Sequence, residues 1–204
     1  LADDLREERS HSVSLSADLY HTFGKVQTNL LVEGFYTILD DVFALRDMDD
    51  AADGGKVKER YNGSGATVRG FNVEGRAAFT RWFELQAGVT LQQSRYKEPE
   101  FWSEDAEVPP VRRMFRTPDT YGYFTASFKP VRNFTADLSG TCTGSMLVQH
   151  MAGSGVAQDV AVSTPSFFDM NIRLSYDVRI YKEITMQLYG GVQNLFNAYQ
   201  KDFD

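Results

Sequence analysis

The chain has 204 residues, 42% of them hydrophobic, and a formal net charge of −7. It nowhere carries the ~18 consecutive apolar residues of a membrane-crossing helix, and an acidic balance excludes the clustered basic face that nucleic acid requires. Cys142 is the single cysteine, which rules out an intrachain disulfide and leaves the redox compartment unread.

Residues 1–9 are charged and lack the apolar stretch of a secretory signal, which leaves either a soluble protein or a signal upstream of Leu1. Thirteen per cent aromatic residues, 16 Gly and few Pro favour strands separated by turns.

The first periodic run sets Val13, Leu15, Ala17 and Leu19 against Ser12, Ser14, Ser16, Asp18 and Tyr20, the period-two signature of a strand. After Gly24-Lys25, Val26, Thr28, Leu30, Val32, Gly34 and Tyr36 alternate with Gln27, Asn29, Leu31, Glu33 and Phe35, and the run continues to about Phe43. That is longer than most strands of soluble domains. Phe71, Val73, Gly75, Ala77 and Phe79 oppose Asn72, Glu74, Arg76 and Ala78. Thr80-Arg81-Trp82 then turns the chain into Phe83, Leu85, Ala87, Val89 and Leu91, set against Glu84, Gln86, Gly88, Thr90 and Gln92.

Gly122, Phe124, Ala126 and Phe128 lead through 130–133 into Phe134, Ala136, Leu138, Gly140 and Cys142. Phe168, Met170, Ile172, Leu174 and Tyr176 alternate with Asp169, Asn171, Arg173, Ser175 and Asp177, and a turn over 179–183 opens a last run through Ile184, Met186, Leu188, Gly190 and Val192. The sum is eight strands in four hairpins. Their connections alternate in length: tight near 23–25, 80–82, 130–133 and 179–183, long and polar over 46–66, 96–118 and 149–165. Short turns at one end and long loops at the other are the habit of outer-membrane barrels, with the short turns periplasmic.

A soluble sandwich or barrel would bury the apolar face and wet the polar one, whereas a membrane barrel turns the apolar face to lipid. Alternation does not separate the two. Strand length does help, because several runs reach the ~9–11 residues that cross a bilayer. Aromatic residues also gather beside the tight turns, at Tyr20, Phe23, Phe79, Trp82, Phe83, Phe128, Phe134, Tyr176 and Tyr181, as an interfacial girdle would.

The segment Gly190 to Tyr199 resembles the C-terminal signature of TonB-dependent receptors, with Asn194, Leu195, Phe196, Asn197 and Tyr199 standing where that family has an N-L-F-[ND]-x-x-Y motif. Gly70 to Arg76 and Arg116-Thr117-Pro118 are similar to recurrent strand segments of the same family. The resemblance implies an all-β, antiparallel up-and-down transmembrane barrel, of which residues 1–204 supply about eight adjacent strands out of roughly 22. Family members carry a plug domain before this region and one more strand after the motif; the chain is therefore expected to be an excerpt from the C-terminal part of a receptor, with plug and last strand absent.

The resemblance further implies a bacterial outer-membrane location and TonB-powered import of a scarce ligand such as an iron-siderophore, haem, cobalamin or an oligosaccharide. The partners it implies are outer-membrane lipid, the plug of the same parent chain, TonB acting through the N-terminal region, a surface lipoprotein, and a small-molecule or glycan ligand. The alternative is a soluble or small membrane β-barrel that binds a ligand or partner without TonB coupling.

Among the polar positions, Glu33, Glu74, Arg76, Glu84, Gln86, Asp137, Asp169 and Arg173 would be costly against lipid and are expected to face a polar lumen. No catalytic motif is present: G-x-S-x-G, H-E-x-x-H, the P-loop and C-x-x-C are all missing, so no enzyme, cofactor or metal centre is expected. The cluster Asp47, Asp49, Asp50 and Asp53 lacks the Gly and terminal Glu of a calcium loop and reads as a solvated acidic loop. His150 reads as an ordinary loop histidine, and Cys142 as a small hydrophobe.

Overall fold

The computed structural model describes residues 4–48, 57–103, 105 and 107–202, apart from the side chains of 45–48 and 57–58. Eight long strands form one antiparallel meander in chain order. They are β1 (Arg9–Phe23), β2 (Val26–Asp40), β5 (Ala66–Thr80), β6 (Phe83–Glu100), β8 (Thr120–Val131), β9 (Phe134–Thr143), β12 (Phe167–Tyr181) and β13 (Ile184–Val192). The numbers between belong to strands in the connections: β3 (Phe43–Met48) pairs with β4 (Val57–Asn62), β7 (Val111–Arg113) adds to β6, and β10 (Leu147–His150) pairs with β11 (Val160–Ser163).

The eight strands and the four tight turns fall where the alternation places them. The turns are Gly24–Lys25, Arg81–Trp82, Arg132–Asn133 and Lys182–Glu183. Gly24 takes φ +64, as two-residue hairpins demand of a turn position. The ladder breaks register between Ala78 and Thr80, Phe128 and Val131, and Arg179 and Tyr181. Each irregularity sits beside a tight turn, where the added twist of a bulge is accommodated without disturbing the ladder above.

Three details differ from the sequence reading. β2 stops at Asp40 instead of Phe43, because Asp41 adopts φ 52 and leaves the extended region. β6 runs eight residues past Gln92 to Glu100, carried by pairing of Tyr96 with Ala66 and of Glu100 with Val111 and not by apolar alternation. The long connections are not plain loops, since two of them hold hairpins.

The register sorts the two faces. One row runs Ala17, Val32, Val73, Val89, Gly122, Cys142 and Phe168 across seven strands. The adjacent row on the other face runs Ser16, Glu33, Asn72, Thr90, Tyr121 and Thr143. The polar face is the more enclosed one: Thr90 is 8% exposed, while Val89 and Leu91 beside it on the apolar face are 40% and 53% exposed. The order of an ordinary soluble core, apolar within and polar without, is thus inverted. β1 and β13 are the edges of this sheet.

The packed apolar core lies at the loop end. Ala66, Met146 and Val148 are buried there, and the connections are sewn together by Arg116 N–H to the Leu147 carbonyl (2.8 Å), Thr164 N–H to the Met146 carbonyl (2.9 Å) and Gly144 N–H to the Thr120 carbonyl (2.7 Å).

Candidate functional site: the polar face and the loop end above it

Period two places every polar position named from the sequence on one surface. Glu33, Glu74, Arg76, Glu84, Gln86, Asp137, Asp169 and Arg173 all point to the same face of the meander, as their register partners show. They form several separate hydrogen-bonded groups. Asn72 donates to Glu33 at 2.8 Å and accepts from the Thr90 hydroxyl at 2.8 Å. Arg76 pairs with Glu84 at 2.6 Å. Ser127 donates to Asp137 at 2.6 Å, and Asn171 donates to Asp169 at 3.0 Å. The Arg173 guanidinium lies over the Tyr189 ring, 4.6 Å from its centroid, within cation–π reach.

Sequence reasoning missed Tyr123, which joins Glu74 and Gln86 into one cluster. Its hydroxyl donates to Glu74 at 2.6 Å and accepts from Gln86 at 3.1 Å, while Gln86 also donates to Glu74 at 2.7 Å. A tyrosine in an alternating strand gives no sign from sequence of which neighbour it will reach.

The motif residues play a different part. Asn194 follows the end of β13 with φ 52, and its amide grips Ala198 twice: Nδ2 donates to the Ala198 carbonyl (2.9 Å), and Oδ1 accepts from the Ala198 N–H (2.7 Å). Its own N–H donates to Asn171 Oδ1 at 2.9 Å, Leu195 N–H donates to the Met170 carbonyl at 2.8 Å, and the Phe196 ring leans on Phe168 with centroids 6.0 Å apart. Asn197 also stands at positive φ, and its Nδ2 donates to the Tyr199 hydroxyl at 3.3 Å. Asparagine is among the few residues tolerated in left-handed conformation, so the motif is a strand terminator that folds the chain back on β12.

Above the polar face, the loops between β6 and β8 and between β9 and β12 are tied to each other. Asp159 accepts from the Ser103 hydroxyl (2.6 Å) and from Ala152 N–H (2.7 Å). These bonds, that of Ser103 first, hold its carboxyl below the usual aspartate range. The Trp102 ring meets Phe115 edge-on at 5.5 Å. Four buried polar atoms have no hydrogen-bond partner among the described residues: Ser94 Oγ, Trp102 Nε1 and Arg113 Nε at the loop end, and Asp169 Oδ1.

Other sequence features carry less. Asp49, Asp50, Asp53 and the side chain of Asp47 lie outside the described residues. Among the described residues, no group of three or more His, Cys, Asp or Glu could hold a metal ion. His150 Nε2 meets the Asp202 carbonyl at 3.2 Å, an ordinary loop contact. Among the described residues, no helix is long and apolar enough to cross a membrane, which says nothing of strands.

The arrangement offers a polar face and an apolar one. Solved structures share the fold. The chain aligns with the ferric-catecholate import receptor Fiu of E. coli at a TM-score of 0.63 and 16% identity, covering 96% of this chain and 24% of that one. It aligns with the copper transporter OprC at 0.63 and 13%, covering 97% and 27%, and with the iron transporter FrpB of Neisseria meningitidis at 0.59 and 13%, covering 98% and 29%. The chain thus spans about a quarter of the length of these structures, and at such identities the likeness is one of fold. No curated protein matches the sequence. The family model for TonB dependent receptor-like β-barrels matches residues 2–195, and the chain belongs to that family, an all-β outer-membrane receptor barrel.

Proposed function

We propose that this chain is a stretch of barrel wall from a larger receptor that binds a scarce ligand and imports it with energy delivered through TonB. One observation supports the reading above others. The register lays an apolar belt on one face and a hydrogen-bonded polar lining on the other, more enclosed face, which suits lipid outside and a wet lumen inside. On this reading Glu33, Glu74, Arg76, Glu84, Gln86, Asp137, Asp169 and Arg173 line the lumen. Most already hold partners within the wall, so they serve hydration and contact with the plug more than direct ligand capture.

The loop end is the better place for ligand contact. It carries Trp102 Nε1, Ser94 Oγ and Arg113 Nε, unpaired among the described residues, and leaving buried donors unmade costs about 1–3 kcal/mol each, a cost that groups supplied by the plug or by ligand would relieve. Iron chelates and copper are the first ligands to try, because structures of like fold carry those names; the plug, TonB and a surface lipoprotein are the protein partners to seek.

The test is growth and uptake. A strain deleted for the parent gene should lose accumulation of one radiolabelled ligand from a panel of ferric siderophores, haem, copper, cobalamin and oligosaccharides under limitation, and regain it on complementation. Unchanged uptake of every ligand in that panel would sink the reading. So would aqueous labelling of Val89→Cys in intact outer membranes.

A further inference from the structure

The apolar face is not uniform. At the loop end of the belt an open groove of about 700 Å³ lies between β1, β2, β5 and β6, within the ~300–1,000 Å³ of small-molecule sites. Val13, Leu15, Phe71 and Leu91 form its walls. Gly34 leaves its floor open, and the Phe71 ring stands 3.5 Å from where a Cβ would be.

A cation closes the loop end. Arg69 is the next residue on this face after Phe71, and its Nε and Nη2 both donate to Gln93 Oε1, at 3.2 and 2.8 Å. That fork fixes the guanidinium and leaves Nη1 without a partner among the described residues. The nearby cations differ: Arg95 faces Asp119, Lys97 faces Asp40 and Arg112 faces Glu98. Arg69 forms no ion pair among the described residues: Asp119, the one carboxylate lining the groove, is engaged by Arg95 at 3.4 Å and by Arg113 at 3.3 Å.

Depth decides what meets it. From Phe79 at the turn end to Phe71 the strand rises ~26 Å at ~3.3 Å per residue, or about 20 Å of bilayer once a tilt of ~40° is applied, close to the ~25 Å apolar band of such barrels. Arg69 therefore stands at the boundary where lipid headgroups lie. A guanidinium there matches a phosphate in two-pronged fashion, and the groove beneath it matches an alkyl chain.

We infer that this groove is a lipid site. It seats one acyl chain over Gly34, and Arg69, steadied by Gln93, holds the phosphate of an anionic lipid from the leaflet on the loop side. The inference rests on the apolar face being the lipid face.

The experiment uses the full-length receptor in nanodiscs containing phosphatidylglycerol or phosphatidylcholine, with native mass spectrometry counting the lipids retained. The expected result is one tightly held phosphatidylglycerol in the wild type. Its relative affinity should drop roughly tenfold in Arg69→Gln, as for loss of one charge-assisted contact. A similar loss is expected in Gly34→Leu, which fills the groove and keeps the charge, and none in Arg60→Gln, a loop cation away from the groove. Equal retention in wild type, Arg69→Gln and Gly34→Leu overturns the site, as does an equal loss in Arg60→Gln or equal retention of phosphatidylcholine. Heat-modifiable gel mobility of each variant confirms that its barrel has formed. Labelling Val89→Cys in the same discs separates the two ideas: a shielded Val89→Cys with unchanged lipid retention refutes the groove alone, and a water-labelled one refutes the facing beneath it.

Discussion

The Tyr123 hydroxyl on β8 donates to the Glu74 carboxylate on β5 at 2.6 Å, although β6 runs between them. Gly88 is the β6 residue in the same row, paired with Glu74 on one side and Tyr123 on the other. A Cβ at Gly88 would stand 2.7 Å from Tyr123 Cε1, so a missing side chain on the middle strand lets the outer two meet. Three neighbouring strands are thereby joined by side chains as well as by the ladder.

Gly88→Ala should displace the Tyr123 ring and break that bond. Tyr123→Phe removes the same bond directly, at about 1 kcal/mol for a half-exposed partner. The two substitutions should therefore fail to add, with the double variant little worse than either single one. Thermal midpoints from heat-modifiable gel mobility of the full-length receptor measure this. Additive losses would mean that Gly88 acts through something other than Tyr123.

Cys142 offers a probe that needs no substitution. It lies in the apolar row between Gly122 and Phe168 and is exposed in the isolated chain. In intact outer membranes a charged maleimide should leave it unmodified, while an apolar maleimide that partitions into lipid should react. Rapid modification by the charged reagent would contradict a lipid-facing position.

Asn194 carries both a left-handed backbone and a two-pronged grip on Ala198. Asn194→Gly keeps the conformation and loses the grip; Asn194→Ala loses both. The alanine variant should be the less stable by about 1 kcal/mol, the left-handed penalty of a residue with a Cβ. Protease cleavage within 194–199 should rise in the order wild type, glycine, alanine. Equal cleavage in glycine and alanine variants would show that backbone strain plays no part.

The tie between the two loops should depend on pH. The carboxyl of Asp159 is held low by Ser103 and by Ala152 N–H, so its contribution is complete above the ordinary aspartate value of about 3.9. It is lost as pH falls through the lower folded-state value. Spin labels placed at Asp105 and Gly155 should report a distance that is constant at neutral pH and broadens only in strong acid. Asp159→Asn should broaden it at every pH. A wild-type distance that broadens already between pH 5 and 7 would place the control in another group.

Strands and faces were legible in the sequence because period-two alternation is a local property: each residue declares its face relative to its immediate neighbours. The four tight turns were legible for a related reason, since chain reversal in two residues needs polar, conformationally permissive positions such as Gly24 and Asn133. The one-sided grouping of Glu33, Glu74, Arg76 and Arg173 followed from the same parity. The hairpin β3–β4 and the late half of β6 were not legible, because Glu59, Gln93 and Arg95 stand where the alternation calls for apolar residues, and pairing with a partner strand replaces it.

Contacts between strands that are not sequence neighbours were beyond local pattern altogether. Whether Tyr123 meets Glu74 depends on a register shared by β5, β6 and β8, and a shift of one residue on any of them would turn Gly88 to the other face and block the approach. The same holds for Asp159 with Ser103, set 56 residues apart, and for Arg69 above Gly34. Parity along each strand set the chemistry of the two faces; alignment between strands, resolved only when the whole meander closes its ladders, decided which side chains touch.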